Sequence, residues 1–296
     1  MKIERLAPAK VNLYLHVGPL GADGYHPLAS LVTFADIGDI VSIEDAPAME
    51  LALSGPFAGE VGAEDDNLVV RARRAVEAAF RPDWRPFRLG LEKRLPVASG
   101  LGGGSADAAA ALQLMTDRSR LAQDAGDERT LFSVARDLGA DVPMCLAGKP
   151  HLARGRGDML SPPPAFPTLD AVLVNPLKPS PTGAVYRAYD AAGAPGDAEP
   201  LDAPESMARA ADVARFLARG RNDLEAAAIS LQPAIAEALA AMNSRPETLF
   251  ARMSGSGATC FALCASLADR RALAAALTDA YPRWWVRDCA LAGFSP

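Results

Sequence analysis

A glycine-rich stretch in the middle of the chain, residues 95–112, combines the residue types that bind anions through backbone groups. Four glycines fall within residues 100–104, and Ser105, Asp107 and a run of alanines follow. Because glycine lacks a Cβ atom, several N–H groups can converge on one bulky anion. Ser105 and Asp107 favour helix caps, and alanine has the highest helix propensity. We therefore expect a glycine loop that opens onto a helix N-terminus, an arrangement that binds phosphate.

This stretch does not match the two common phosphate-binding motifs. A P-loop requires a lysine after its last glycine, and none follows Gly104. The dinucleotide motif GxGxxG fails because its last glycine would fall on Ser105 or Asp107. A flexible loop before an alanine-rich core helix is the alternative interpretation. The density of glycines directly before a strong helix favours anion binding, without identifying the anion.

A second candidate lies near the N-terminus, where KVNLYLHV (residues 10–17) alternates polar and apolar side chains. This alternation predicts a strand on which Lys10 and Asn12 point to the same side. An ordinary amphipathic strand would expose that polar side to water. The position of Lys10, directly after Ala-Pro-Ala at the start of a strand, also suits a functional lysine.

Two loop positions carry side chains that suit ligand binding. Tyr25 and His26 are consecutive in the turn-rich segment GADGYHPL, where aromatic rings either cover the core or stack on a planar ligand such as a nucleobase. Asp141 follows a helix that we expect over residues 128–138, ended by Gly139. A turn or a helix N-cap is the commonest role for such an aspartate.

Composition restricts the class of protein. The chain has 296 residues, half of them hydrophobic, which suffices for one large domain or two ordinary ones. A net charge of −6 argues against a general nucleic-acid-binding protein. Four widely spaced cysteines without a CxxC pair predict a reducing, cytoplasmic location. Three histidines lack metal-ligand spacing, and no apolar run approaches the roughly 20 residues of a membrane span.

Hydrophobic periodicity predicts a mixture of strands and helices. Strands are expected near residues 10–17, 30–35, 40–44, 50–54, 87–93, 170–175, 258–264 and 284–289. Helices are expected near residues 67–80, after the glycine loop, and near 128–138, 182–189, 206–219, 222–243 and 267–280. The proline-rich segment 161–167 is the expected linker between domains 1–160 and 161–296, and 191–204 is the expected long loop.

Three segments, PAKVNLYL, PVASGLGGGSADAA and MSGSGATCFAL, together resemble the GHMP kinase superfamily in order and separation. DGYHPL, DNLV, GADVP and NDLE further resemble its members that act on a cytidine diphosphate-linked methylerythritol. The resemblance covers nearly the full length. It implies an α+β (α/β-like two-layer) GHMP kinase fold, with an N-terminal ribosomal-protein-like β–α domain and a C-terminal ferredoxin-like α/β domain. It also implies ATP as phosphate donor, Mg²⁺ bound with the nucleotide, and a small-molecule alcohol as acceptor.

The resemblance also implies a role for each candidate residue. Asp141 would be the catalytic base that accepts the proton of the alcohol, and Lys10 would stabilise negative charge at the reacting centre. The implied substrate-binding residues are Asn12, Tyr25, His26, Thr182 and Tyr186. The implied ATP-binding residues are Asn67, Pro96, Val97, Ala98, Ser99, Gly100, Leu101, Gly102, Gly103, Gly104, Ser105 and Ala106. No dedicated metal ligand is implied, and we expect a monomer or weak homodimer without nucleic-acid or membrane partners.

Some positions depart from the pattern of the superfamily. Ala98 and Ser99 replace a Gly-Ala pair, Asp158 replaces a glutamate, and an extra Pro181 precedes Thr182. The main rival hypothesis is another GHMP kinase, acting for example on homoserine or mevalonate. A non-catalytic nucleotide-binding or scaffold protein is a rival of a different class, and the failed GxGxxG motif disfavours a Rossmann oxidoreductase.

Overall fold

The structure is a computed structural model that describes residues 2–62, 64–119, 124–193 and 196–293. Its strands are β1 (Ile3–Val17), β2 (Leu28–Asp45), β3 (Glu50–Ser54), β4 (Phe87–Glu92), β5 (His151–Gly155), β6 (Met159–Ser161), β7 (Leu169–Asn175), β8 (Thr248–Met253), β9 (Cys260–Cys264) and β10 (Trp285–Leu291). Its helices are α1 (Leu68–Phe80), α2 (Gly103–Ser119), α3 (Ala125–Leu138), α4 (Val142–Ala147), α5 (Thr182–Ala191), α6 (Ala210–Leu217), α7 (Glu225–Leu231), α8 (Ala234–Asn243) and α9 (Leu267–Ala280). None of the helices in these ranges has the length and apolar character needed to cross a bilayer.

These elements form two compact units whose segments alternate along the chain. The first unit consists of Met1–Ala9, Ile37–Val97 and Gly102–Gly148. The second unit consists of Lys10–Asp36, Ala98–Leu101 and Lys149–Pro296. Strands β1 and β2 therefore contribute residues to both. The expected contiguous domains, 1–160 and 161–296, stay a prediction.

The first unit combines a small sheet with helices α1 to α4. The C-terminal half of β2 pairs antiparallel with β4, and β3 pairs with β4 in parallel. Helix α1 begins where the Asn67 side chain accepts a hydrogen bond from the N–H of Val69, the usual role of an N-cap. Its buried side, Val69, Val70, Ala72 and Val76, packs against α2 and α3. Helix α2 in turn packs against α4, so these helices form a continuous layer.

The second unit is built on an antiparallel sheet. Strand β10 pairs with β7, β7 with β9, and β9 with β8. The N-terminal half of β2 pairs with β5, and Ala35 of β2 pairs with Leu291 of β10. The core of this unit is apolar and includes Val172 and Val174 of β7, Leu273 of α9 and Val286 of β10. Burial of such side chains is the main driving force for folding.

Several elements differ from the sequence-based expectation. The two strands expected near residues 30–35 and 40–44 form the single strand β2. The helix expected over 222–243 is divided into α7 and α8, because Pro233 has no N–H group and cannot continue a helix. Strands β5, β6 and β8 were not predicted. Of the long loop expected over 191–204, residues 194–195 lie outside the described part of the chain.

The proline-rich segment 161–167 is also less separate from the sheet than expected. Ser161 is the last residue of β6, and Ala165 forms an isolated bridge with Ser206. Proline lacks an N–H donor but leaves its neighbours free to pair. The segment is therefore tied into the second unit at two points.

The burial of strand β1 excludes the alternative of an ordinary strand with its polar side in water. Lys10, Asn12, Tyr14 and His16 have exposed fractions between 0% and 6%, so both sides of this part of β1 are buried. Buried polar groups require hydrogen-bond partners, and the Ser30 hydroxyl supplies two contacts, to the Asn12 amide and the Tyr14 carbonyl. Burial on both sides removes the ordinary solvent-exposed strand as an explanation for Lys10.

A glycine in the middle of β2 allows it to approach β1 closely. A Cβ atom at Gly38 would lie 2.0 Å from the carbonyl oxygen of Ala7. We expect Gly38→Ala to lower the free energy of unfolding by about 1–3 kcal/mol, because the backbone must move to accept the methyl group. Denaturant titration measures this loss. Gly59→Ala is the matched control, since a Cβ atom there meets nothing within 4 Å and should leave stability nearly unchanged.

Candidate active site

The glycine-rich stretch forms the predicted loop and helix. Helix α2 begins at Gly103, and its first turn closes with the N–H of Ala106 donating to the carbonyl of Gly102 at 2.9 Å. The first N–H groups of a helix have no acceptor within it, so those of Gly103, Gly104 and Ser105 are suited to bind an anion. The prediction of a glycine loop before a helix N-terminus is confirmed.

The loop before α2 has an unusual backbone. Ala98, Gly100 and Gly102 have φ angles of 50°, 77° and 63°, in the left-handed region that favours glycine. Ala98 occupies this region without being glycine, which is uncommon and is typical of functional loops. Alternating left-handed residues turn successive peptide groups toward a common centre, as in other anion-binding loops.

The second glycine cluster, residues 253–259, fixes the other side of residues 99–101. The N–H of Thr259 donates to the carbonyl of Ser99 at 3.0 Å. The hydroxyl of Ser254 donates to the carbonyl of Gly100 at 3.0 Å, and the N–H of Lys10 donates to the carbonyl of Leu101 at 2.8 Å. Three successive carbonyl groups are thus held in place, which defines the orientation of the peptide groups between them.

Ser254 joins two candidate elements of the site. Its hydroxyl oxygen also accepts a hydrogen bond from the N–H of Asn12, at 3.1 Å. The side chain of Asn222 supports this cluster by donating to the carbonyls of Met253 and Gly255, at 2.9 and 2.8 Å. Ser254 and Asn222 were not among the predicted site residues. Their segments, MSGSGAT and NDLE, are recognisable in the sequence, but nothing local shows that they meet.

Lys10 and Asn12 are neighbours on β1, as the alternation predicted. The Asn12 amide nitrogen donates to the Ser30 hydroxyl at 2.8 Å. Its amide oxygen is buried and has no hydrogen-bond partner within the described residues. An unsatisfied buried acceptor is costly, and a ligand hydroxyl is one group that satisfies it. Asn12 is therefore suited to contact a substrate.

Asp141 lies at the N-cap position of α4, immediately before a proline-containing first turn. Asp141 lies in a turn, and within the described residues its carboxylate makes no capping hydrogen bond to α4. Of the two common roles of such an aspartate, the turn therefore stands and the side-chain N-cap does not. Asp141 belongs to the first unit and Lys10 to the second. Their function as a pair stays a prediction.

Tyr25 lies on the surface with its ring 55% exposed. The guanidinium carbon of Arg156 lies 4.0 Å from the ring centre, and Arg156 is held by the carboxylate of Asp23 at 2.6 Å. A cation over an aromatic face contributes about 0.5–1 kcal/mol at an exposed site. Arg156 therefore orients the Tyr25 ring, which was predicted to bind the substrate. The sequence analysis did not assign Arg156 to the site, because it lies far from Tyr25 along the chain.

His26 and Tyr186 lie together in the second unit, with ring centres 5.2 Å apart. The Nδ1 atom of His26 is 2.8 Å from the carbonyl oxygen of Gly18, and its Nε2 atom is 3.2 Å from the carboxylate of Asp190. Both ring nitrogens thus have protein partners. Any contact of His26 with a base must therefore share one of these atoms or use the ring face.

The other predicted positions have structural partners. The Thr182 and Ser256 hydroxyls are 2.8 Å apart, which links the start of α5 to the second glycine cluster. Asn67 caps α1, and its predicted role near ATP is therefore additional to this cap. The Asp158 carboxylate accepts the N–H of Arg156 at 3.2 Å, so this residue stabilises a turn between β5 and β6.

A buried group of three charged residues, Lys93, Asp39 and Asp107, lies in the first unit next to the start of α2. The Lys93 ammonium contacts the Asp39 carboxylate and donates to Asp107 at 2.7 Å. Burial raises the pKa of Asp107 to about 7, although the Lys93 charge opposes this shift. Burial disfavours the charged form of Lys93, but the two carboxylates outweigh it and raise the pKa of Lys93.

Comparison with known proteins then identifies the family. The model of the GHMP kinase N-terminal domain matches residues 67–149, and that of the GHMP kinase C-terminal domain matches residues 204–283. Together they cover more than half of the chain. The chain belongs to the GHMP kinase family. Its glycine loop therefore belongs to an ATP-dependent kinase.

Several relatives of this GHMP kinase are similar over nearly the whole chain. The 4-diphosphocytidyl-2-C-methyl-D-erythritol kinase of Caulobacter sp. (strain K31) is 54% identical, and the alignment covers 99% of each protein. The enzyme of the same name from Hyphomonas neptunium is 48% identical over 94% of this chain and 93% of that protein. The crystal structure of a 4-(cytidine 5'-diphospho)-2C-methyl-D-erythritol kinase has a TM-score of 0.77 and 36% identity, covering 99% and 100% of the two chains.

A homoserine kinase from Cytophaga hutchinsonii has the same fold. Its structure has a TM-score of 0.69 and 19% identity, covering 97% of this chain and 94% of that chain. At this identity the likeness shows the fold alone. The expected GHMP kinase fold, with mixed strands and helices, is confirmed.

Gly100 lies so close to the second glycine cluster that a substitution there tests whether residues 96–106 bind ATP. A Cβ atom at Gly100 would lie 2.3 Å from the carbonyl oxygen of Ser254 and 2.9 Å from the nitrogen of Gly257. We expect Gly100→Ala to displace the loop and raise KM for ATP by about ten-fold or more. Steady-state kinetics measure the change. Gly193→Ala is the control, since Gly193 also has positive φ but a Cβ atom there meets nothing, and its KM for ATP should stay near wild type.

Proposed function

We propose that this chain transfers the γ-phosphoryl group of ATP to the 2-hydroxyl of 4-diphosphocytidyl-2-C-methyl-D-erythritol. The choice of substrate is supported by the relatives of that name, which are 54% and 48% identical to this chain over nearly its whole length. The glycine loop, the buried Lys10 and the carboxylate of Asp141 supply the chemical groups that phosphoryl transfer requires.

In this proposal the triphosphate lies against residues 96–106. The N–H groups at the start of α2 and the positive end of its dipole bind the phosphate oxygens, and the Ser105 hydroxyl adds a donor. The loop offers N–H and hydroxyl donors rather than carboxylates, so it fits an anion. Mg²⁺ is held mainly by the phosphates and, when bound, neutralises charge on the transferring group.

Phosphoryl transfer depends chiefly on positioning and charge stabilisation. We assign Asp141 as the base that accepts the proton of the substrate hydroxyl while that oxygen attacks the γ-phosphorus. Lys10 stabilises the negative charge that develops between the two. The unsatisfied amide oxygen of Asn12 accepts a hydrogen bond from the substrate.

We assign the cytidine end of the substrate to the aromatic residues of the second unit. Tyr25 offers an exposed ring for stacking, and the His26–Tyr186 pair offers a second aromatic surface. Thr182 completes the set at the start of α5. Homoserine and mevalonate carry no nucleobase, so a kinase acting on either alcohol needs no base-binding surface besides that for the adenine of ATP. This feature separates the proposal from its main rivals.

The remaining proposals concern location and assembly. None of the four buried thiols forms a disulfide within the described residues, as suits a reducing cytoplasm; they are Cys145, Cys260, Cys264 and Cys289. We propose a monomer or weak homodimer that needs no nucleic acid. Sedimentation analysis of the purified protein, with and without nuclease treatment, checks both statements.

Asp141→Asn tests the assignment of the base. The amide keeps the size of the side chain but cannot accept the proton, so we expect turnover to fall by about 10³-fold or more. Calorimetry should show that an ATP analogue still binds. Asp137→Asn changes an exposed aspartate at the end of α3 and should keep full activity. Turnover of Asp141→Asn within a few-fold of wild type would remove Asp141 from this role.

Tyr25→Ala tests the assignment of the cytidine site. Loss of the ring removes a stacking surface, so we expect KM for the cytidyl alcohol to rise by about ten-fold or more while KM for ATP changes little. Tyr25→Phe keeps the ring and should stay close to wild type. Equal changes in both KM values, or equal turnover of homoserine or mevalonate, would contradict the assignment.

A further inference from the structure

The buried charged group Lys93–Asp39–Asp107 is not needed as a base or a phosphate ligand in the proposed reaction. Its three side chains have exposed fractions of 0% to 5%. Burial of charged groups is unfavourable unless each is paired, and replacing such a group by apolar residues is often neutral for stability. A contribution to stability alone therefore does not explain why this group is present.

Two members of the group, Lys93 and Asp107, lie on either side of the phosphate loop in the chain. Lys93 follows β4 directly, at the point where the chain enters the phosphate loop, and Asp107 lies in the second turn of α2, after the chain leaves it. The ion pair between them, at 2.7 Å, joins the two ends of the segment 93–107, which contains the phosphate loop. The loop cannot widen without breaking this buried contact.

Asp39 extends the same contact to the entry strand. Its Oδ1 atom accepts hydrogen bonds from the N–H groups of Arg94 and Leu95, at 2.6 and 2.9 Å, while its Oδ2 atom contacts Lys93. Three consecutive residues before Pro96 are thus held by one carboxylate. Charge-assisted hydrogen bonds of this kind are about twice as strong as neutral ones.

The group also lies directly beside the start of the helix. A Cβ atom at Gly103 would be 3.5 Å from both Asp39 Oδ2 and Lys93 Nζ. The first residue of α2, whose N–H belongs to the proposed anion site, therefore lies beside the group. A shift of Lys93 or Asp107 moves these N–H groups.

We propose that Lys93, Asp39 and Asp107 are positioning residues that clamp the two ends of the phosphate loop and thereby set the affinity for the triphosphate of ATP. The proposal rests on the proposed use of this loop for ATP, but not on the identity of the alcohol. Both carboxylates contact the Lys93 ammonium, and Asp39 also accepts the N–H groups of Arg94 and Leu95. Asp107 acts through its position as an acceptor for Lys93.

Asp107→Ala and Asp107→Asn separate a clamp from a simple charge effect. Alanine removes the acceptor for Lys93, so we expect Kd for a non-hydrolysable ATP analogue with Mg²⁺ to rise by about ten-fold. Asparagine keeps an acceptor oxygen at the same place, so we expect Kd within about three-fold of wild type. A charge effect alone predicts the opposite for alanine, namely tighter binding, because a negative charge next to an anion site is removed.

Calorimetry without any alcohol substrate gives these Kd values, so an error in the alcohol assignment leaves the test intact. Hydrogen exchange of the peptides covering residues 94–106 provides the second measurement. We expect faster exchange there in Asp107→Ala, and normal exchange in Asp107→Asn. Asp45→Asn is the matched control, since Asp45 pairs with Arg118 at the opposite end of the same helix. It should change neither measurement.

Lys93→Met covers the case in which Asp107→Ala does not fold, because it removes the same ion pair from the other side. Faster exchange in residues 94–106, with thermal unfolding still cooperative, supports the clamp. Unchanged exchange and unchanged or tighter binding of the analogue, in whichever of the two variants folds, overturn the proposal.

Discussion

Backbone N–H groups bind a triphosphate only where the chain brings several of them to one point, and this requires residues in left-handed conformations with little space around them. Residues 98–102 meet this requirement through three positive φ angles. Such a backbone is unfavourable by itself and persists because its neighbours hold it. In the second unit these neighbours are Ser254, Thr259 and the N–H of Lys10.

In the proposed reaction the same contacts connect the phosphate loop to the strand that carries Lys10. Ser254 bonds both Gly100 of the loop and the backbone of Asn12, two residues beyond Lys10 on β1. The position of β1 and the position of the loop are therefore set by one hydroxyl group. Lys10 itself is buried on a strand whose two sides are covered, so its ammonium has little freedom to move. Preorganisation of this kind is the main contribution of a protein to phosphoryl transfer.

Local sequence predicted those parts of the fold that depend on local chemistry. Three features follow from residue types close in sequence, namely the Asn67 cap, the end of α3 at Gly139 and the glycine loop before α2. Strand β8 was missed because it is only partly buried, and the joining of two strands into β2 depends on the approach of Ala7 to Gly38. Pro233 is a local signal against the continuous helix that was predicted over residues 222–243.

The site shows the same division. The residues in recognisable motifs were predicted from their types and order, and their roles in the site stay a prediction. Ser254, Asn222 and the Lys93 group were not assigned, since their partners lie between 14 and 242 residues away. Arg156 was likewise not assigned, because it lies 133 residues from Asp23, the aspartate that holds it. Contacts at these separations follow from topology, which a single sequence does not reveal.

The hydrogen bond between Asn12 and Ser254 spans 242 positions of the chain. During synthesis the ribosome completes the strand with Lys10 and the glycine loop long before it reaches Ser254 and Thr259. Nascent chains and fragments that end before residue 254 therefore lack the groups that hold the carbonyls of Ser99 and Gly100. The backbone of Ser99 and Gly100 therefore gains these contacts only after most of the chain has been synthesised.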